Sequence, residues 1–392
     1  MVSAAAARAR SFEAVLRGGV PELASVAPYA LMAVIGVELA ALAALLPDTL
    51  RLGWHHPTAD FRNLYGPARD LSLVGLYSPF LAVLLHPVTY LGELSAFRAM
   101  FVINVAASLT IAWIAQAPLR TPEARLAVAL GVLTVPQLHW AVRLGHLTPA
   151  LGLIALCGLL LVQRHSYRGA IVLALLSLKP QYAVAPFLQL LRDRRFAVAG
   201  AMLGAAGTFA VVGFAVIGPA ELGEYLSIAF DWGPDSRDNL LPVQQSWLYS
   251  WPGVQISFGI APQPLITFQL MALSLATVGL AWANAGPMTR ACVTAFAMLL
   301  LTPYAQFYDF GMVVVGIALL LRCGFDARLT AGISATLWIA AAVTQAHTIF
   351  PTKDALGAAQ TAGPYVLTPA VLGAVALIAV IGKQRPPGGA QW

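Results

Sequence analysis

Apolar residues in this chain run together in blocks of roughly twenty, separated by short polar punctuation, rather than recurring at the spacing of a water-facing amphipathic helix. A helix rising about 1.5 Å per residue needs about 20 residues to cross some 30 Å of hydrocarbon. Blocks of that kind lie at 26–46, 95–117, 123–140, 147–163, 196–218, 262–285, 287–303, 308–322, 329–349 and 362–382, which predicts about ten crossings. Two further stretches break the pattern. The first, 77–92, is short and holds Pro79, His86 and Pro87; the second, 167–191, is divided by Lys179-Pro180 into pieces too short to cross alone. Both read as partial or re-entrant helices. Lipid offers no partner to backbone N–H and C=O groups, so these blocks must be helical and the fold class is an all-α polytopic membrane protein.

Composition sharpens this reading. Of 392 residues, 59% are hydrophobic and 10% charged, with a mean hydropathy of +0.76, too apolar for a surface facing water throughout. The chain reads as one integral membrane domain over 1–392, with no separate soluble domain. The net charge of +6 does not point to nucleic acid, because Lys and Arg gather at the ends of apolar blocks, as anchoring residues do. Residues 1–25 are expected to be a cytoplasmic segment with no cleavable signal, followed by the first crossing. Alternation then puts Arg120/Arg125, Arg164/Arg168, Arg192/Arg194/Arg195, Arg290, Arg322/Arg328 and Lys383/Arg385 on the cytoplasmic side, provided 167–191 enters and leaves by one face. The opposite side collects 47–94, 141–146, 219–261, 303–308 and 350–361. Cys157, Cys292 and Cys323 show no CxxC spacing and read as packing residues.

Charge is scarce, so its concentration in 59–79, ADFRNLYGPARDLSLVGLYSP, stands out. Asp60, Arg62, Tyr65, Arg69 and Asp70 are spaced for an amphipathic helix at the membrane surface. Lys179, among apolar residues and before a proline, needs a counter-charge, since an ionisable group at depth costs about 2.5–3.5 kcal/mol on insertion scales. Two partners are in view: an anionic substrate phosphate, or Glu38 as a structural ion pair. His146 follows Arg143 in RLGH and is placed to bond a substrate or to cap the helix beginning near Thr148. Gln244 and Gln245 precede Trp247, a pairing of amide and indole suited to sugars; interfacial anchoring is the plainer reading for at least two of Trp232, Trp247 and Trp251. Tyr304, Gln306, Tyr308 and Asp309 form a polar cluster at a helix end. His55 and His56 are adjacent and read as loop polarity.

Taken in order, Asp60-Phe61-Arg62-Asn63-Leu64-Tyr65, Leu76-Tyr77-Ser78-Pro79-Phe80, Leu178-Lys179-Pro180-Gln181, Gln244-Gln245-Ser246 and Thr302-Pro303-Tyr304 with Tyr308-Asp309 resemble glycosyltransferase family 87, over about 58 to 310. The chain departs from many members in carrying Gly145-His146 where they have Gly-Gln, and Tyr308-Asp309 where some have a histidine. The resemblance implies a GT-C bundle in the plasma (inner) membrane, with its site on the extracytoplasmic face. It implies transfer of a sugar, mannose first, from a polyprenyl-phosphate carrier to a lipid-linked or surface-glycan acceptor. Asp60 would then be the catalytic base. Arg62, Tyr65, Tyr77, Arg143, His146, Lys179, Gln181, Gln244, Gln245, Tyr304, Tyr308 and Asp309 would bind donor phosphate or substrate. No metal ligand is assigned and no cofactor is required, although a divalent cation near Asp309 stays open, as does oligomeric state.

Independent chemistry supports one carboxylate. A sugar phosphate leaves without an acid, so a single base that takes the acceptor proton is enough for an inverting displacement. The plainer reading is that Asp60 caps its helix. A secondary transporter or flippase, which would also break its helices, and a non-catalytic scaffold are the rival functions.

Overall fold

The computed structural model describes residues 21–73, 77–164, 166–230, 250–257, 263–302, 305–349 and 366–382, and among these no strand occurs. The helices are α1 (Pro21–His55), α2 (Ala59–Asp70), α3 (Pro79–Thr89), α4 (Glu93–Gln116), α5 (Pro122–Leu133), α6 (Pro136–Leu144), α7 (Thr148–Arg164), α8 (Ser166–Ala174), α9 (Gln181–Arg192), α10 (Phe196–Ile217), α11 (Glu221–Phe230), α12 (Trp251–Ser257), α13 (Pro264–Asn284), α14 (Pro287–Leu300), α15 (Val313–Leu320), α16 (Ala327–Ile349) and α17 (Leu367–Gly382). A 3₁₀ turn precedes Lys179 at Leu175–Leu178, and another leads into α15 at Phe307–Met312.

The expected apolar blocks are helical where they are described, but a count of about ten crossings is not confirmed. Among the described residues, five helices are long and apolar enough to span a membrane, or six if the bent pair α5–α6 counts as one. The other apolar helices are shorter: α7, α14 and α17 have 17, 14 and 16 residues. Every residue of α15 is buried, as is α14 from Ala291 to Leu300, and a helix enclosed by other helices is apolar all round whether or not it reaches both faces. In α10, by contrast, Leu203, Val211, Val212 and Val216 are exposed, as a lipid-facing helix requires. The first candidate span is drawn from Leu31 to Asp70, but the apolar run ends near Leu50 and α2 is polar, so we place α2 beyond the crossing.

The α5–α6 pair bends by 51° at Thr134-Val135-Pro136, where Pro136 has no N–H to continue the ladder. His139 Nε2 donates to Leu133 O at 2.6 Å and holds the bend. The 167–191 stretch is broken at Lys179-Pro180, separating α8 from α9. The α14–α15 pair forms the middle of the bundle, with α4, α7, α9, α13 and α17 around it. Short α3 lies on α10, where a Cβ at Gly213 would sit 2.4 Å from Phe80 N and Phe80 stacks on Phe209 with centroids 5.0 Å apart.

Candidate active site

Three breaks in the helical pattern, together with the 3₁₀ turn at Phe307–Met312 that carries Tyr308 and Asp309, bring the polar residues together. The first is the entry to α2. Thr58 is its N-cap, its Oγ1 accepting from Phe61 N at 3.2 Å and donating to Leu144 O at 2.8 Å. Asp60 is therefore not the cap, and its half-buried carboxylate has another use. The second break is α6 to α7, where Gly145 takes φ +69° as the α6 C-cap and a Cβ would meet Phe97 at 2.8 Å. His146 follows, 3% exposed. The third is Lys179-Pro180, tied to the start of α3 by Ser78 N donating to Leu178 O at 3.0 Å, which brings Tyr77 beside Lys179.

Lys179 donates to Asp309 Oδ1 at 2.5 Å with both side chains inside the bundle. Its ammonium lies 5.2 Å from the Tyr182 ring centre and 5.6 Å from those of Tyr77 and Tyr308, a tyrosine cage that favours a cation. The expected alternative partner, Glu38, is elsewhere: its Oε1 packs where a Cβ on Gly131 would fall, at the α1–α5 contact. Asp309 is further held by Thr148 Oγ1 at 3.2 Å on Oδ1 and by Gln306 N at 3.0 Å on Oδ2. Burial alone would raise the Asp309 carboxyl, but the Lys179 charge, His146 and the donors on its oxygens hold it below the usual aspartate range.

Behind this pair runs a chain of hydrogen bonds. Tyr77 Oη is 2.6 Å from His146 Nε2, His146 Nδ1 is 3.0 Å from Thr148 Oγ1, and Thr148 reaches Asp309. Asn104 Nδ2 donates to His146 O at 2.7 Å, and the Tyr308 ring lies against the imidazole with centroids 3.8 Å apart. Burial, then Lys179, pushes His146 down to about 3, partly opposed by Asp309, so the imidazole is neutral at physiological pH. Asp60 lies close enough for Asp309 and Lys179 to act on it: burial and then Asp309 push its carboxyl up, while Lys179 pulls it down.

The structure thus gathers Asp60, Tyr77, His146, Lys179, Tyr308 and Asp309. Of the other expected residues that are described, Arg62, Tyr65 and Arg143 have partners elsewhere. Arg62 is on the outer surface, paired with Glu93 at 2.7 Å. Tyr65 donates to Thr89 O at 3.2 Å and ties α2 to α3. Arg143 lies over Trp140 at 4.3 Å, its Cα 3.6 Å from where a Gly53 Cβ would be, on the α1 side of α6. Gln181 opens α9 two residues past Lys179. Gln244, Gln245 and Tyr304 lie outside the described residues, as do Trp232 and Trp247. Trp251 is buried and donates from Nε1 to Ser274 at 3.1 Å.

Thr148 and Tyr182 were missed by sequence reasoning. Thr148-Pro149 reads only as a helix start, and nothing local announces a bond to a residue 161 positions away. Tyr182, fully buried, aims its hydroxyl at Asp309 without reaching hydrogen-bond geometry.

At Asp309, Lys179, Thr148 and Gln306 N already donate to the carboxylate oxygens, and the ammonium on Oδ1 repels a second cation. Among the described residues no group of three or more His, Cys, Asp or Glu is arranged to hold a metal.

The family model of glycosyltransferase family 87 matches residues 76–321 of the 392. The chain belongs to glycosyltransferase family 87. It is a membrane glycosyltransferase, built from apolar helices as that family is. No curated protein and no solved structure matches it. The family 87 match takes in Tyr77, His146, Lys179, Tyr308 and Asp309 but begins after Asp60, so the case for Asp60 rests on its place beside the ion pair.

Proposed function

We propose that this glycosyltransferase moves a sugar, mannose first, from a polyprenyl-phosphate carrier to a lipid-linked or surface-glycan acceptor in a single inverting displacement, with Asp60 as base. The observation that carries the reading is the convergence of Asp60 with the Lys179–Asp309 pair. Residues 60, 179 and 309 come from three separate helix breaks, yet the two partners' charges act on the Asp60 carboxyl. Asp60 accepts the proton of the acceptor hydroxyl as that oxygen bonds to the anomeric carbon. The bond from that carbon to the phosphate oxygen breaks and its electron pair leaves with the phosphate, which needs no protonation. A carboxyl raised by burial takes a proton more readily than a solvated aspartate does.

The fixed charges at the centre, Asp60, Asp309 and Lys179, leave no surplus cation for the donor phosphate. Arg62 is suited to holding it, because the bond from Arg62 to Glu93 is between exposed groups, is worth at most about 1 kcal/mol, and is readily exchanged for a phosphate. Arg143, with a buried Nε that has no hydrogen-bond partner, is the second candidate. The catalytic surface would face outward across the plasma membrane, as the resemblance to family 87 implies.

The test is transfer of labelled sugar from polyprenyl-phosphate-mannose to a membrane lipid extract by purified protein, with Asp60→Asn alongside. Transfer by wild type and its loss in the variant support both donor and base. Equal transfer by both refutes Asp60 as base, and transfer only from another polyprenyl-phosphate sugar refutes mannose.

A further inference from the structure

The hydrogen-bond chain behind the ion pair has a direction, and the direction sets what the site offers a substrate. Asp309, ionised against Lys179, can only accept. The single hydroxyl proton of Thr148 goes to it, so Thr148 Oγ1 meets the imidazole with a lone pair, 3.0 Å from Nδ1. Nδ1 must therefore carry the ring's proton. The ring is neutral, so Nε2 is bare and accepts the proton of Tyr77, 2.6 Å away. Tyr77 is half-buried and has one proton. With that proton committed inward, its oxygen has only lone pairs left for any other partner.

We propose that Thr148 is a positioning residue that holds His146 in the Nδ1–H tautomer, so that Tyr77 meets the substrate as a hydrogen-bond acceptor and reads a sugar hydroxyl. This rests on the glycosyl-transfer reading above and names the feature of the substrate that the inner wall recognises. A wall of acceptors, Tyr77 Oη beside the Asp60 carboxylate, matches a polyol that donates. It repels a phosphate, which has nothing to donate, so the phosphate is left to the outer arginines.

Without Thr148 the direction is lost. In Thr148→Val an Nδ1–H would point at a methyl group, a buried donor left without a partner. The ring escapes by moving its proton to Nε2 and donating to Tyr77, whose own proton then turns outward. One substitution, made where no substrate reaches, changes Tyr77 from acceptor to donor.

Nitrogen-15 NMR of protein labelled at histidine, with His146→Gln to identify the signal, reads the tautomer without any need for turnover. Nδ1–H is expected in wild type and in Thr148→Ser, and Nε2–H in Thr148→Val. An Nε2–H ring in wild type, or an unchanged tautomer in the valine variant, overturns the proposal. Kinetics supply the second reading: kcat/KM is expected to fall about tenfold or more in Thr148→Val, to return in Thr148→Ser, and to fall no further when Thr148→Val is added to Tyr77→Phe. Losses that simply multiply in the double variant overturn the route through Tyr77. The KM values for donor and acceptor, taken separately, tell whose hydroxyl is read. A tautomer that follows Thr148 in a protein that transfers no sugar refutes the glycosyl-transfer reading and leaves the wiring standing.

Discussion

Lys179 Nζ and Asp309 Oδ1 are 2.5 Å apart, and their side chains are 8% and 0% exposed. Between Leu178 and Pro180 on one side and the 3₁₀ turn before α15 on the other, this pair joins two parts of the chain 130 residues apart. Removing one partner strands the other without water, which in buried pairs costs about 3–5 kcal/mol, whereas replacing both with apolar groups of similar volume is often neutral. Thermal unfolding in detergent should therefore show Lys179→Met well below wild type and Lys179→Met/Asp309→Leu recovering most of the loss. A double variant no more stable than the single would mean that the pair does not act as a unit.

The acid limb of the pH–rate profile should belong to Asp60. The base must be ionised, and its carboxyl is raised by burial and by Asp309. Transfer should fall as pH drops through a value above the ordinary aspartate range. His146, near 3, does not titrate in the same window. Asp309→Asn removes a negative neighbour and leaves the Lys179 charge acting on Asp60 alone, so the limb should move to lower pH. The check is kcat/KM against pH for wild type and for Asp309→Asn that remains monodisperse.

Asp60→Asn keeps the size of the side chain and loses the base, so kcat should drop by about 10²–10⁴-fold, with the melting temperature close to wild type because Thr58 provides the cap. Thr58→Ala tests the other half of that statement. It loses the bonds to Phe61 N and Leu144 O and should cost about 1–2 kcal/mol of stability, read as a lower melting temperature.

The seat of α3 can be tested with an internal control. A Cβ at Gly213 meets Phe80 N at 2.4 Å and Pro79 C at 2.7 Å, backbone atoms that cannot rotate away, while at Gly204 nothing lies within 4 Å. Gly213→Ala should destabilise by about 1–3 kcal/mol. Gly204→Ala on the same helix should be neutral or stabilising by up to about 1 kcal/mol. Equal melting temperatures for the two would overturn the α3–α10 contact.

The sequence pattern located nearly every helix, because bilayer and bundle interior alike demand apolar residues. For the same reason it could not separate crossing from burial: α14 and α15 look like spans by composition, and their enclosure among other helices demands the same apolar residues. Lys179 announced its need for a partner through its apolar neighbours, but the partner was not legible. A substrate phosphate and Glu38 were the partners in view, and Asp309 came into reach only once the turn after α14 was folded against Lys179. Asp60, Tyr77, Tyr308 and Asp309 were readable as polar residues at block ends. Thr148 was not, since a threonine before a proline carries the same local signal whether it caps a helix or orients a histidine 2 positions away.

The length of α14 has a consequence for where chemistry can occur. Fourteen residues rise about 21 Å, roughly 9 Å less than the hydrocarbon layer, and the turn carrying Tyr308 and Asp309 begins just beyond its end. A helix this short reaches at most one face of the bilayer, so where it is seated decides how deep Tyr308 and Asp309 are held, and bilayer thickness becomes a dimension of the site.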